Sequence, residues 1–428
     1  MSMDKKALEH SKSVLKDMYF AGIHAVSPIT LVSNKVKFKD GMLYVKDESF
    51  ETKQNVYLVG FGKAVMGTSV VKYCEGAVNN HPDDRSLETT HEIIDLVESL
   101  TENDTLIVLI SGGGSALLYM PRPSIDRDDK LLLCKALQAA GADIKELNIV
   151  RSKLSMVKGG GLARMAYPAS IITLILSDIV GDPVELIASG PTVYSNKRPR
   201  EVIAILKKYN LFERVEGDTK KLLTATERFK DKHLLTRRKK QFKHVTNIIL
   251  GNNAVAIEAA SLEAYRNKLT PIILRSDVVG DVHDVSLAYV HICSLICLAM
   301  DKTLEKEEFF EKVKDIPILS LSAAKVDEIY NEIDNVSEEG LVLIGGGEPT
   351  VVVKGNGKGG RNQELALHFS LDWLAKIKSY YQFANYEVIM LSAGTDGQDG
   401  PTDAAVIVRE EEKKEAIRKK KEEEEEQR

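Results

Sequence analysis

Six short stretches concentrate the residues able to handle an anionic group, and five of them directly follow an apolar run. Gly60-Phe61-Gly62-Lys63 comes after the run 56–59. Glycine lets backbone amides approach an anion, and the lysine adds a full positive charge. Gly60 and Gly62 are therefore candidate phosphate contacts, and Lys63 is a candidate catalytic cation. The spacing is not that of the Walker loop, and alone the stretch is equally a tight strand-to-helix turn with a surface lysine. Ser111-Gly112-Gly113-Gly114-Ser115 follows the run 106–110. Three consecutive glycines cost chain entropy that a simple turn avoids, so close approach of a ligand to bare backbone explains them better.

The third stretch, Lys158-Gly159-Gly160-Gly161, is preceded by Arg151 and Lys153. Clustered bases beside hydroxyls and glycines suit a carboxylate or polyphosphate, while the plain alternative is a helix C-terminus with glycine stop signals. The fourth, Ser177-Asp178-Ile179-Val180-Gly181-Asp182, follows the run 171–176. Two carboxylates four residues apart at a strand end can divide the work, one accepting a proton from a substrate hydroxyl and the other holding Mg²⁺; either Asp178 or Asp182 can be the base, and Asp182 is also a candidate metal ligand. Singly, each could be a helix cap. Nearer the C-terminus, Gly345-Gly346-Gly347-Glu348 leads to Gly359-Gly360-Arg361-Asn362-Gln363-Glu364, where an arginine opens a helix and can stabilise charge on a transferring group. The last stretch runs from Ser392 through Asp396 and Asp399 to Asp403, and its acids are further candidates for Mg²⁺ or substrate hydroxyls. An EF-hand is excluded by the missing signature.

These stretches need elements to hold them. Leu8, Val14, Leu15, Met18 and Ile23 have helical spacing, so a helix is expected up to a break at Ser27-Pro28. Alternation around Asp40-Gly41 reads as a hairpin. Beyond it, apolar runs at 56–59, 106–110, 171–176, 247–250, 271–274, 341–344 and 387–391 alternate with helical segments. That pattern predicts an α/β fold with a mostly parallel sheet covered on both faces, and ligands in such sheets bind beyond the carboxyl ends of the strands. Residues 227–246 read as a basic surface excursion. The segment 409–428, with nine acids and eight bases, reads as a solvated tail.

Composition narrows the partners. With 428 residues, 43% hydrophobic and 28% charged, the chain can bury two domain cores. A net charge of −5 with scattered bases leaves no nucleic-acid footprint and favours a small-molecule substrate. Cys74, Cys134, Cys293 and Cys297 show no CxxC spacing and read as reduced, mostly buried thiols. The acid-bearing N-terminus is unlike a signal or transit peptide, and no run of about eighteen apolar residues is read, so the expectation is a cytoplasmic protein without a membrane partner. The sequence is compatible with a homo-oligomer.

Taken together, Val59-Gly-Phe-Gly-Lys63, Leu109 through Leu117, Gly141 through Ala163, Leu176-Ser-Asp-Ile-Val-Gly-Asp182 with Ala188-Ser-Gly-Pro-Thr192, Gly357 through Glu364 and Ala393 through Ala405 resemble the class II glycerate kinases, or glycerate 2-kinases, whose C-terminal part is the MOFRL domain. The resemblance implies a larger Rossmann-like α/β domain, here 1–335, a smaller MOFRL-like α/β domain, here 336–408 and apparently truncated, and a site in the cleft between them. It implies transfer of the ATP γ-phosphoryl group to D-glycerate, usually at the 2-hydroxyl, with Mg²⁺. By the same resemblance Lys63 is the active-site lysine, Asp178 or Asp182 the catalytic aspartate, and Arg361 the arginine that contacts substrate or phosphate.

The chain departs from that family in three places. It is short between Met66 and His81, Ala404-Ala405-Val406 lacks a following glycine, and a charged tail stands where a late GPTxTN-type strand and loop is expected. Two other readings stay open: a shortened form that binds glycerate or nucleotide without turnover, and a nicotinamide-dependent oxidoreductase. Against the second, the GxGxxG spacing fails at Gly60, where Val65 takes the third glycine's place.

Overall fold

The computed structural model describes residues 5–65, 82–123, 125–195, 199–224, 242–352, 358–400, 402 and 406–410. The opening apolar spacing forms α1 (Lys5–Ala25), and the break at Ser27-Pro28 is itself the start of α2 (Pro28–Lys35). Ser27 caps α2 by accepting from the Thr30 amide, and proline in the first turn has no amide to leave unpaired. β1 (Val36–Lys39) and β2 (Met42–Val45) form the expected hairpin, with Asp40 and Gly41 both at positive φ. β3 (Glu48–Glu51), too short and polar to read from the sequence, adds a third antiparallel strand.

There follow β4 (Asn55–Phe61), α3 (Asp84–Glu98), β5 (Asp104–Ile110), α4 (Gly114–Leu117), α5 (Arg127–Ala139), α6 (Ile144–Lys153), α7 (Gly161–Met165), β6 (Ser170–Leu176), α8 (Pro199–Lys208), α9 (Gly217–Thr224) and β7 (Val245–Gly251). Strands β4, β5, β6 and β7 pair in that order, all parallel. Their carboxyl ends therefore line one edge of the sheet.

Both faces of this sheet are covered along β5 and β6, which explains why those strands read as continuous apolar runs, while β4 leaves Val56 and Leu58 exposed. Leu106, Val108 and Ile110 join Ile94, Val97 and Leu162 on one face. Leu109, Ile172 and Leu174 join Leu31 of α2 and Leu43 and Val45 of β2 on the other. Helices α5, α6, α8 and α9 bury a further cluster around Leu137, Leu147, Val150 and Leu206.

The remaining elements are α10 (Asn253–Arg266), β8 (Thr270–Asp281), α11 (Val282–Met300), α12 (Lys306–Lys314), α13 (Ala323–Ile333), β9 (Leu341–Thr350), α14 (Arg361–Ser379), β10 (Ile389–Ala393) and β11 (Val406–Glu410). β8 and β9 pair parallel, and β10 and β11 antiparallel. All seven apolar runs of the sequence are thus strands.

Two compact units result, residues 26–252 and residues 1–25 with 253–428. The division does not fall at the expected boundary of 335/336. β8 lies before that point and β9 after it, and their pairing ties both sides into one unit. β11 likewise extends two residues into the segment read as tail. The shortened segment after Met66 and the triplet Ala404-Ala405-Val406 fall wholly or largely outside the described residues, as do Cys74 and most of the basic excursion.

The expectation of no long apolar segment also needs correction. α11 has the length and apolarity of a membrane span, with a mean hydropathy of 1.6. In the fold its Ile292, Leu295 and Ile296 pack with β8, α12 and α13, while Val290 and Cys297 pack on Phe369 and Trp373 of α14. A helix apolar on most sides is what a core position between layers requires.

Candidate functional site

In the unit 26–252 the ends of β4, β5 and β6 bring Lys63, Ser111, Gly112 and Asp178 together. The Lys63 amide donates to the Gly112 carbonyl at 2.8 Å, and the Ala64 amide donates to Ser111 Oγ at 3.0 Å. Gly62 has φ +133, and any Cβ there would collide with Ser111. That position therefore demands glycine twice over, by conformation and by space. A Cβ on Gly112 would collide with the Asp178 carboxylate, so the missing side chain lets that carboxylate lie against bare backbone. Gly60 serves packing, because its Cβ would meet Val65. The amides of Gly112 and Gly113 donate to no backbone acceptor among the described residues, and Gly113 adopts left-handed φ. Successive amides in such a turn form an anion-binding concavity. Lys63 and Asp178 are both exposed beside it.

Asp182 is half-buried at φ +53, a strained conformation for a side-chain-bearing residue, and accepts a hydrogen bond from Asn252 Nδ2 at the end of β7. Ala188 and Ser189 also have positive φ, and they pack against the glycine run of β5: a Cβ on Gly114 would crowd Ala188. Ser189 Oγ lies 3.1 Å from Ser115 Oγ and donates to Asn148 Oδ1 at 2.6 Å. Strained residues held by this many bonds mark a segment whose shape is over-determined by its surroundings.

Lys158, Gly159 and Gly160 direct hydrogen bonds into the protein itself. The Lys158 ammonium is buried and donates to the carbonyls of Ser115 at 2.7 Å and Leu118 at 3.0 Å. Burial, then the charges of Lys130 and Arg151, push it well below the usual lysine range. The amides of Gly159 and Gly160 donate to the carbonyls of Ser189 and Gly190. This stretch is a brace behind the loop at Ser115.

In the other unit, Arg361 Nη1 lies 3.1 Å from Glu348 Oε1, both side chains half-exposed. An ion pair so exposed is worth little and exchanges readily for another anion. Asp399 is not placed as a metal ligand. It is 1% exposed, and its oxygens accept from the amides of Asn362 at 3.0 Å and Gln363 at 2.9 Å and from Asn362 Nδ2. It caps α14, whose own N-cap residue, Gly360, has no side chain to do so. A Cβ on Gly360 would collide with Asp399. Asn362 is further held by Ser392, which donates to its Oδ1 at 2.7 Å.

Gly345 and Gly346 lie inside β9, where side chains would collide with Tyr289 and with Asn253 and Ile257. They permit helix packing on the strand and form no strand-end loop. Gly359 is exposed with open space where a side chain would be. Asp396 is exposed near Tyr19, whose hydroxyl donates to the Gly394 carbonyl at 2.8 Å; burial and then the Asp396 charge raise that phenol's pKa.

Sequence reasoning missed three contributors: Asn252, Ser189 as a partner of Asn148, and Tyr19. Asn252 had a usable signal, since Asn-Asn directly after a buried strand is a strand-end position like the others. Lys63, Asp178 and Asp182 belong to one unit, and Arg361 and Asp399 to the other.

The chain is similar to known proteins over most of its length. Residues 66–224 match the family described as domain of unknown function DUF4147, and residues 341–427 match the MOFRL family, a match that runs on into the charged segment. The glycerate kinase of Danio rerio is 37% identical over 432 residues, covering 91% of this chain and 84% of that protein. The glycerate 2-kinase of Pyrococcus horikoshii is 31% identical over 408 residues, covering 90% and 82%. The crystal structure of a glycerate kinase from Thermotoga maritima superposes with a TM-score of 0.63 at 25% identity, covering 93% of this chain and 87% of that one. Relatives alike over nearly the whole length, at 31% to 37% identity, make this chain a member of the glycerate kinase family.

Proposed function

We propose that the chain transfers the γ-phosphoryl group of ATP to the 2-hydroxyl of D-glycerate. The observation that carries this reading is the grouping of Lys63, the Gly112–Gly113 amides and Asp178 at adjoining ends of β4, β5 and β6. The glycerate 2-kinase of Pyrococcus horikoshii supports the choice of hydroxyl.

In this reading the Gly112 and Gly113 amides bind phosphate oxygens, and the Lys63 ammonium neutralises charge that builds on the transferring group. The base is Asp178 or Asp182, both at the end of β6. It accepts the 2-hydroxyl proton as the substrate oxygen bonds to the γ-phosphorus, and the bond from that phosphorus to the bridging oxygen breaks to release ADP. In its own unit Arg361 offers its guanidinium to an anionic group in exchange for Glu348.

For Mg²⁺ the donor chemistry of Asp178 and Asp182 fits, since both offer hard carboxylate oxygens at one strand end. Asp399 does not fit, because backbone amides occupy its oxygens. When bound, the ion supplies neutralisation of phosphate charge.

The test is a coupled ADP-release assay with D-glycerate on the wild type and on Lys63→Ala. D-Glycerate should drive ADP release, and the alanine variant should lose about a hundredfold, the usual scale for one electrostatic stabiliser. Phosphorus NMR of the product should show 2-phosphoglycerate. Equal rates in the two proteins would remove Lys63 from its role, and no glycerate-dependent ADP release would overturn the reading.

A further inference from the structure

His283 occupies the second position of α11, where its amide donates to the capping Asp281 at 3.0 Å. Glu364 and His368 stand at i and i+4 on α14 and so share one helix face. The packing of α11 on α14 through Val290, Cys297, Phe369 and Trp373 brings the three side chains together. His368 Nε2 is 3.2 Å from Glu364 Oε1, and His283 Nε2 is 3.9 Å from the same oxygen. The two imidazole rings have centroids 3.6 Å apart at an angle of 48°. One ligand atom from each residue lies within 4.8 Å of the others, the one such group of three among the described residues.

We propose that His283, Glu364 and His368 bind a transition-metal ion of the Zn²⁺ class. Tetrahedral coordination with metal–ligand bonds of about 2.0–2.1 Å sets ligand atoms about 3.3 Å apart. The Glu364–His368 pair already has that spacing, and the half-exposed His283 ring has to swing away from the His368 ring to reach it, because the two centroids now lie 3.6 Å apart. The plain alternative is a helical His–Glu pair with a second histidine nearby. That reading accounts for α14 alone, but gives no reason for a ring from a different helix to close on both partners.

Two imidazoles with one carboxylate select against Mg²⁺, which prefers oxygen donors, and leave a coordination position for water or an outside ligand. The site is thus distinct from the Mg²⁺ of phosphoryl transfer. An ion there ties the first turn of α14, which begins with Arg361, to the start of α11.

The experiment takes the full chain, stripped with a chelator, and titrates it with Co²⁺ and then Zn²⁺. One equivalent of Co²⁺ should bring up a visible d–d absorption band, and one equivalent of Zn²⁺ should abolish it while millimolar Mg²⁺ leaves it intact. His283→Ala and His368→Ala should each weaken Zn²⁺ binding at least about tenfold. The first of these alters a half-exposed residue and should leave the far-ultraviolet circular dichroism unchanged. Absence of stoichiometric Co²⁺ binding overturns the proposal. So does undiminished binding in a folded His283→Ala protein, which would place the ion elsewhere, for instance on the cysteines.

Discussion

Lys130 is 2% exposed, and its ammonium lies 4.5 Å above the Tyr119 ring without a hydrogen-bond acceptor among the described residues. Burial is the main reason its pKa falls from 10.5 to about 8; Cys134 opposes the shift, and Arg151 and Arg122 add to it. At pH 7 the residue is charged in both folded and unfolded chains, and the folded state bears the desolvation. Between pH 8 and 10.5 the unfolded chain holds the extra proton, so the folded state gains stability as pH rises through that window. Lys130→Met should therefore stabilise the protein by about 1–3 kcal/mol at pH 7, and by less at pH 10. Urea unfolding at the two pH values measures this, and a gain that did not shrink at pH 10 would refute the charge argument. Lys158 is buried as deeply but engages two carbonyls, which is why the same residue type braces a loop in one place and strains the fold in another. Sequence shows both lysines, but not which one meets acceptors.

At the scale of elements, α14 depends on a residue far along the chain. Its first amides are capped by Asp399, and Asp399 is in turn fixed by Thr402, which donates to its carbonyl at 2.7 Å. Asp399→Ala should lower stability by about 1–2 kcal/mol, and Asp399→Asn should recover part of that, because asparagine also caps helices. Thermal unfolding of the three proteins decides the matter. A metal ligand would behave differently: the asparagine form would lose Mg²⁺-dependent activity while its melting temperature stayed put. The acid-rich stretch from Asp396 to Asp403 read as metal-binding because acids after a strand serve both purposes. Only the position of the α14 amides distinguishes them.

At the scale of the molecule, α1 belongs with chain more than two hundred residues away. Val14 and Met18 bury against Ala264 of α10, with Leu269 and Val342 beside them. Gly22 sits so close to α10 that a Cβ would come 2.9 Å from the Ala256 carbonyl oxygen. Met18→Ala should cost about 2–4 kcal/mol through the cavity it leaves. Hydrogen exchange should then quicken in α10, β8 and β9 before it does so in β4 to β7. Faster exchange confined to 26–252 would contradict the assignment of α1.

Sequence by itself determined the strands at the seven apolar runs, the Asp40-Gly41 hairpin, the strand-end positions of Lys63, Ser111 and Asp178, and the family. These depend on period, turn chemistry and short motifs, each written within about ten residues. The tertiary structure alone decided the unit to which α1 and β8 belong, the engagement of Lys158 and Asp399 with backbone groups, the packing role of Gly345 and Gly346, and the meeting of His283 with Glu364 and His368. In each case the deciding contact lies on another element, and a side chain's neighbours there are set by how helices and strands pack, which no local spacing records.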